Sequence, residues 1–336
     1  MDKFKDSGKK EEKKYVLCPI CKGTGLCEQD DLAIRNDEIF NILPSKNGIE
    51  ERPRDDARYS WSDGIREKEN PSSQNIQQGH SQDLASIMEH FLDDPKDDQN
   101  PSETLRTSIQ KLKKNQPDQN LSALKDVLFI SKNYPELVEP VMSIVYRKLA
   151  SLLQNTRFQV VGLSAHLTAQ FFKVTQYAQR PEFDELAAAI LQKTAHMNKH
   201  VREISNKTLE TMVSYVPYAH CVRILTSPRG AGHKNPEVRA AVSRLIENVV
   251  RVIGEKTLLN APQMKDTRCK IFTALAKFLI DGNLETRANA RKQVKHLFKH
   301  SEFENSFHQC IDLKLYEKVQ KDFIALKYDC MEKNNL

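Results

Sequence analysis

The sequence predicts an all-α chain, a HEAT-type α-solenoid behind a mostly disordered N-terminal region. Three observations lead there. From residue 102 onward nearly every segment spaces its apolar residues at a helical period, interrupted at short intervals by Pro, Gly and Asn. Three segments open alike: NKHVREISNKTLETMV from 198, NPEVRAAVSRLIENVV from 235 and NLETRANARKQVKHLF from 283, each with Asn, two residues, Val or Thr, then Arg. The Asn residues are 37 and 48 positions apart, bracketing the spacing of about 40–47 expected of HEAT-type units.

The elements follow in order. Residues 1–80 carry charge runs and the turn-rich NPSSQNIQQGHSQ, with apolar clusters too short to offset chain entropy, so this acidic region is read as disordered. Within it CPICKGTGLC supplies Cys18, Cys21 and Cys27, a candidate zinc knuckle over 18–27. The Cys-x-x-Cys-x-Gly-x-Gly run is similar to one half of the zinc module of DnaJ-type chaperones. Tetrahedral zinc needs a fourth ligand, which His80 or a second chain would have to supply. Residues 81–94 form an amphipathic helix, with Leu84, Ile87, Met88, Phe91 and Leu92 on one face, expected to dock on the neighbouring array. The array itself spans 102–330. Its predicted helices are 102–114, 120–133, 137–153, 159–175, 182–195, 199–213, 217–226, 236–252, 264–280, 285–299 and 306–327, which make five pairs and a closing helix. A weaker copy of the repeated opening starts at Asn155, with Val160 and Val161 in the Val-Arg places.

Charge divides the same way. Residues 1–100 hold 15 Lys and Arg against 22 Asp and Glu, and residues 101–336 hold 36 against 23. A region at −7 thus precedes one at +13, within the chain's +6, and the basic half implies an acidic partner. With aromatics at 7% and a single Trp, a base-stacking platform for nucleic acid is disfavoured. No run of about 18 apolar residues and no apolar signal core is present. The expectation is therefore a cytoplasmic protein without membrane contact. Cys221, Cys269, Cys310 and Cys330 are expected to be reduced thiols. No metal-spaced His set, phosphate-binding Gly-rich loop or nucleophile elbow appears, so the chain is read as no enzyme; PRGAGHK is read as a flexible loop.

In a stacked array the turn inside each helix pair recurs along one edge. Those turns are 115–119, 155–159, 196–200, 227–237 and 281–285, and they bring Arg157, Lys199, Arg229 and Lys234 into a row. Arg202, Arg239 and Arg287, at the same place in each copy, are read as structural ties between loop and helix.

These openings, with the long fourth loop SPRGAGHKNPEV, resemble the TOG domain, a six-repeat HEAT paddle, and among such domains those of the TOG array regulators of axonemal microtubules, or Crescerins. The resemblance covers residues 102–330. It implies a non-enzymatic tubulin- or microtubule-binding module, other ciliary or cytoskeletal protein partners, and a place on the cytoskeleton, cilium or axoneme. It also implies tubulin-binding residues at Arg157, Lys199, Arg229, Lys234, Asn283 and Arg287. The first loop departs from the family: Pro117 and Asp118 stand where many TOG domains place Trp, which points away from free tubulin and toward lattice binding or a lost tubulin activity. A HEAT adaptor that grips a peptide is the alternative reading.

Overall fold

The computed structural model describes residues 16–17, 26–27, 100–114, 116–175 and 177–334. The chain divides into two units, Met1–Glu69 and Asn70–Leu336. In the first, strands β1 (Val16–Leu17) and β2 (Leu26–Cys27) pair antiparallel, Val16 opposite Cys27 and Leu17 opposite Leu26. The predicted helix at 81–94 lies outside the described residues, as do Cys18, Cys21 and His80.

The second unit is helical throughout its described length. Its elements are α1 (Pro101–Leu112), α2 (Pro117–Asn133), α3 (Pro135–Val138), α4 (Met142–Leu153), α5 (Phe158–Val174), α6 (Glu182–Lys193), α7 (Lys199–Tyr215), α8 (Tyr218–Leu225), α9 (Pro236–Ile253), α10 (Glu255–Asn260), α11 (Lys265–Leu279), α12 (Leu284–Leu297), α13 (Glu302–Cys310) and α14 (Leu313–Asn334). They form six pairs: α1/α2, α4/α5, α6/α7, α8/α9, α11/α12 and α13/α14. Short α3 and α10, each followed by a 3₁₀ turn, lead into α4 and α11. First helices pack on first helices (α4 on α6, α8 on α11, α11 on α13), and second on second along α2, α5, α7, α9, α12 and α14. This is the stacking of an α-solenoid, in which each pair buries the apolar face of its neighbour.

Three differences from the predicted elements have local causes. Helix α2 begins at Pro117 rather than 120, because proline is well placed at the first helical position, where no N–H is needed. The expected helix 137–153 is broken at the 3₁₀ turn Glu139–Val141, where Pro140 cannot donate to an α-helical ladder. The expected closing helix 306–327 is two helices, α13 and α14. The Asp312 carboxylate accepts the Leu315 N–H at 2.9 Å and starts a new helix there.

The core is one continuous cluster from Leu105 to Leu326. It closes at the last pairs in a group of phenylalanines: Phe307 stacks on Phe323 with centroids 4.4 Å apart, and Phe272 meets Phe303 edge-on at 5.3 Å. Such pairs add about 0.5–1.5 kcal/mol each beyond their area burial.

One cysteine reading is corrected. Cys269 on α11 and Cys310 on α13 are disulfide-bonded, their Cα atoms 4.5 Å apart, whereas Cys221 is a buried free thiol and Cys330 a partly buried one. Sequence spacing gave no sign of the pair, because helix stacking brings together residues 41 apart. Mass spectrometry after alkylation in denaturant without reductant should label Cys221 and Cys330 and spare Cys269 and Cys310. Cys310→Ser should lower unfolding free energy by about 2–4 kcal/mol. Alkylation of all four sites in air-oxidised protein would contradict the bond.

Candidate functional site

The repeated opening is a closed hydrogen-bonding unit, built the same way three times. At its centre an Asn N-cap accepts backbone N–H groups from the first turn of the second helix: Asn198 from His200 and Val201, Asn235 from Glu237, Asn283 from Thr286. These donors would otherwise be orphaned at the helix start. Two residues earlier a side chain accepts the cap's own N–H: His196 Nδ1 at 3.1 Å, His233 Nδ1 at 3.0 Å, Asp281 Oδ1 at 2.8 Å. Four residues after the cap an arginine turns back. Nη1 of Arg202 donates to the carbonyls of His196 and Met197, that of Arg239 to His233 and Lys234, and that of Arg287 to Asp281 and Gly282, all at 2.6–3.0 Å. The third residue after the cap is buried in the core, as Val201, Val238 and Thr286.

The first two turns use partial versions. In the second, Asn155 accepts the Arg157 N–H at 2.8 Å and so takes the place of His196, with Arg157 itself at the cap position. The predicted register is therefore corrected at Asn155 and holds at Val160 and Val161. In the first, Asn120 replaces the arginine and donates to the Lys114 carbonyl at 3.1 Å.

At least one hydrogen bond or ion pair between each neighbouring pair of second helices joins positions that lie equally deep, to within two residues, from their own caps. Arg157 meets Asp118, Thr208 donates to the Ala165 carbonyl, Arg244 to Asn206, Asn289 to Ser243, and Arg291 to Asp322. The second helices are thus parallel and in step, and their starting turns share one edge.

That edge holds three of the six candidate residues as exposed or half-exposed cations. Arg157 has a half-exposed side chain 3.3 Å from Asp118. Lys199 is 75% exposed, with Glu203 at 3.9 Å. Lys234 is exposed, its carbonyl fixed by Arg239. Arg229 departs from the row: it lines a cavity with Gln154, Glu185, Gln192 and His233, toward the first helices. Asn283 and Arg287 are taken up by the turn itself.

The fourth loop is a folded turn rather than the flexible loop expected. Ala231 donates to the Leu225 carbonyl at 2.7 Å and is buried. A Cβ on Gly230 would stand 2.3 Å from the Leu225 carbonyl oxygen, so only glycine fits there.

A bidentate ion pair, Arg239 to Asp281, joins the fourth and fifth turns. Nε and Nη2 donate to the two carboxylate oxygens at 2.6 and 2.9 Å, and both side chains are largely buried. Burial by itself would raise the Asp281 carboxyl. The Arg239 hydrogen bonds, the Asn283 N–H and the charges of Arg239 and Arg287 outweigh it and hold the group below its ordinary value. Burial and the charges of Lys193 and Arg202 push the His196 imidazole down, in keeping with Nδ1 as the acceptor of the Asn198 N–H.

Sequence reasoning missed the apolar tips on this edge, Met197 and Leu284, which are 96% and 71% exposed. Aligning the turns on their caps would have shown that both flank a cap Asn. At the far ends of α9, α12 and α14 lies a cavity of about 530 Å³ that includes Lys292, Gln293, His296 and Asp329. There His296 and His300 both bond Glu255 at 2.7 Å. Among the described residues no group of His, Cys, Asp or Glu is arranged to hold a metal, and no helix is long and apolar enough to cross a membrane.

In class, then, the second unit is an all-α solenoid of HEAT-type helix pairs with a basic edge of capped turns. The chain's resemblance to the TOG proteins is borne out in sequence: over 162 residues it is 26% identical to the TOG array regulator of axonemal microtubules protein 1 of Mus musculus. The match takes in 48% of this chain and 9% of the mouse protein. No family model matches the chain. Among solved structures, a TOG domain of Caenorhabditis elegans Zyg9 is 14% identical with a TM-score of 0.49, covering 73% of this chain and 95% of that one. TOG3 of Drosophila melanogaster Mini spindles is 15% identical with a TM-score of 0.45, covering 65% and 92%. At these values the structural likeness carries no weight for the site.

Asp281→Asn should lower stability at neutral pH by about 1–3 kcal/mol, since Arg239 keeps its burial and loses its charged partner. A carboxyl whose folded pKa is depressed stabilises above its unfolded value and loses that contribution as pH falls through the folded one. The gap between variant and parent urea midpoints should therefore close as pH drops below the ordinary 3.8; a gap independent of pH would contradict the pairing.

Proposed function

We propose that the chain is a non-enzymatic tubulin-binding module that acts on cytoskeletal microtubules through the basic edge of its second-helix starts. The observation that carries this reading is the common edge itself. Arg157, Lys199 and Lys234 project from adjacent turns whose backbone groups are already satisfied, so the cations are presented without loop ordering on binding. Helix N-termini add positive potential along the same line. The mouse relative is by name a regulator of axonemal microtubules, and a ciliary or axonemal setting for this chain is proposed on that likeness. Lattice binding is preferred to free-dimer capture, because Pro117 and Asp118 leave the first turn without an aromatic anchor.

The test is co-sedimentation of the full chain with microtubules, with tubulin dimer in parallel. Lys199→Glu combined with Lys234→Glu should weaken binding by about tenfold or more, and raised salt should weaken the parent's binding. A loss within about twofold would remove the edge as the binding surface, that being too small for two central charges. The adaptor alternative is favoured by the cavity at the opposite helix ends, where the buried Gln293 Oε1 has no hydrogen-bond partner among the described residues. It predicts peptide binding that survives the double charge reversal.

Zinc at Cys18, Cys21 and Cys27 is carried as a separate proposal. Metal analysis of the purified full chain should find zinc in the parent and none in Cys18→Ser/Cys21→Ser; an equal content in both would reject the site.

A further inference from the structure

Exposed apolar side chains are common on protein surfaces and singly need no explanation. Two on the basic edge differ in how they are held. Met197 is 96% exposed at the tip of the third turn, yet its carbonyl is bound by Arg202, and the neighbouring His196 and Asn198 close the turn beneath it. Leu284 is 71% exposed on the first residue of α12, directly after the Asn283 cap, where Arg287 grips the two preceding carbonyls. The backbone under each is fixed while the side chain is largely open to solvent. That is the arrangement of a preorganised anchor, because a partner pocket can take the side chain without first ordering a loop.

Their placement supports the same conclusion. Counted from the caps, Met197 occupies the position that Lys234 fills one turn later, and Leu284 the position that Lys199 fills in the third turn. Apolar and cationic side chains thus alternate along one edge as Met197 and Lys199, then Lys234, then Leu284. Neighbouring second helices lie about 8–10 Å apart, so Met197 and Leu284, two steps apart, stand roughly 20 Å from each other with the Lys234 turn between them.

We propose that Met197 and Leu284 are the apolar anchors of the tubulin interface, and that they set affinity in place of an aromatic in the first turn. The inference rests on the tubulin reading above and deepens it. The matching surface is acidic opposite Lys199 and Lys234, with two apolar depressions roughly 20 Å apart on either side. The division of labour follows from the chemistry. The lysines speed encounter and are screened by salt, whereas the anchors slow dissociation and are not.

The experiment compares the full-length parent, Met197→Ala/Leu284→Ala, Met197→Leu/Leu284→Met and Lys199→Glu/Lys234→Glu in microtubule co-sedimentation at low and raised salt, with circular dichroism melts as a control for folding. All four positions are solvent-facing, so unchanged melts are expected. The alanine pair should lose about tenfold in affinity at both salt levels, and the Leu/Met exchange should restore binding to within about twofold. The charge-reversed pair should lose most at low salt. A parent that binds and is weakened by charge reversal, while the alanine pair stays within about twofold, overturns the anchors and leaves the edge standing. A parent that binds neither microtubules nor tubulin removes the tubulin reading and the anchors with it.

Discussion

Everything in the second unit depends on how the starts of the second helices satisfy their backbone. An α-helix leaves its first N–H groups unpaired, and a tight turn before it leaves carbonyls in the same condition. Here one asparagine takes the helix donors, the side chain two residues earlier takes the cap's own donor, and an arginine one turn on takes the preceding carbonyls. The third residue after each cap is buried, so the turn cannot move without withdrawing Val201, Val238 or Thr286 from the core. Local hydrogen bonding and long-range packing thereby fix the same geometry, and stacking in step turns three local units into one edge.

The edge also shows why counting basic residues overstates a binding surface. Arg202, Arg239 and Arg287 are as cationic as their neighbours, but each spends its Nη1 on two carbonyls, and Arg239 spends the rest of its guanidinium on Asp281. What remains for a partner is a shorter set, Arg157, Lys199 and Lys234, of which Arg157 shares its charge with Asp118. The two ends of the second helices differ in kind. Their starts are rigid turns carrying exposed cations and apolar tips, while the far ends of α9, α12 and α14 surround a cavity of mixed charge.

Much of this was legible in the residues. The helical period, the punctuation by Pro, Gly and Asn, and the repeated Asn-x-x-Val/Thr-Arg yield the solenoid, the place of the turns and the structural role of the arginines. The misreadings share a cause, which is that each turned on a particular hydrogen bond within six residues that composition and matching of residue types do not decide. Asn155 looked like a cap because it matched Asn198, yet its side chain accepts the N–H two residues on, as His196 does, and Arg157 stands at the cap. The long last helix was split by Asp312. PRGAGHK, read as flexible by composition, is closed by Ala231 on Leu225.

By itself the sequence determined the class of fold, the position of the turns and the sign of their charge, because periodicity, caps and composition are local properties that act wherever the chain lies. Tertiary structure alone decided that Arg239 reaches Asp281 in the next turn, that Cys269 meets Cys310, and that Met197 and Leu284 come to one edge with the lysines between them. Each of these joins residues tens of positions apart. Their distance is set by how neighbouring helix pairs stack, and that is a property of the assembled core.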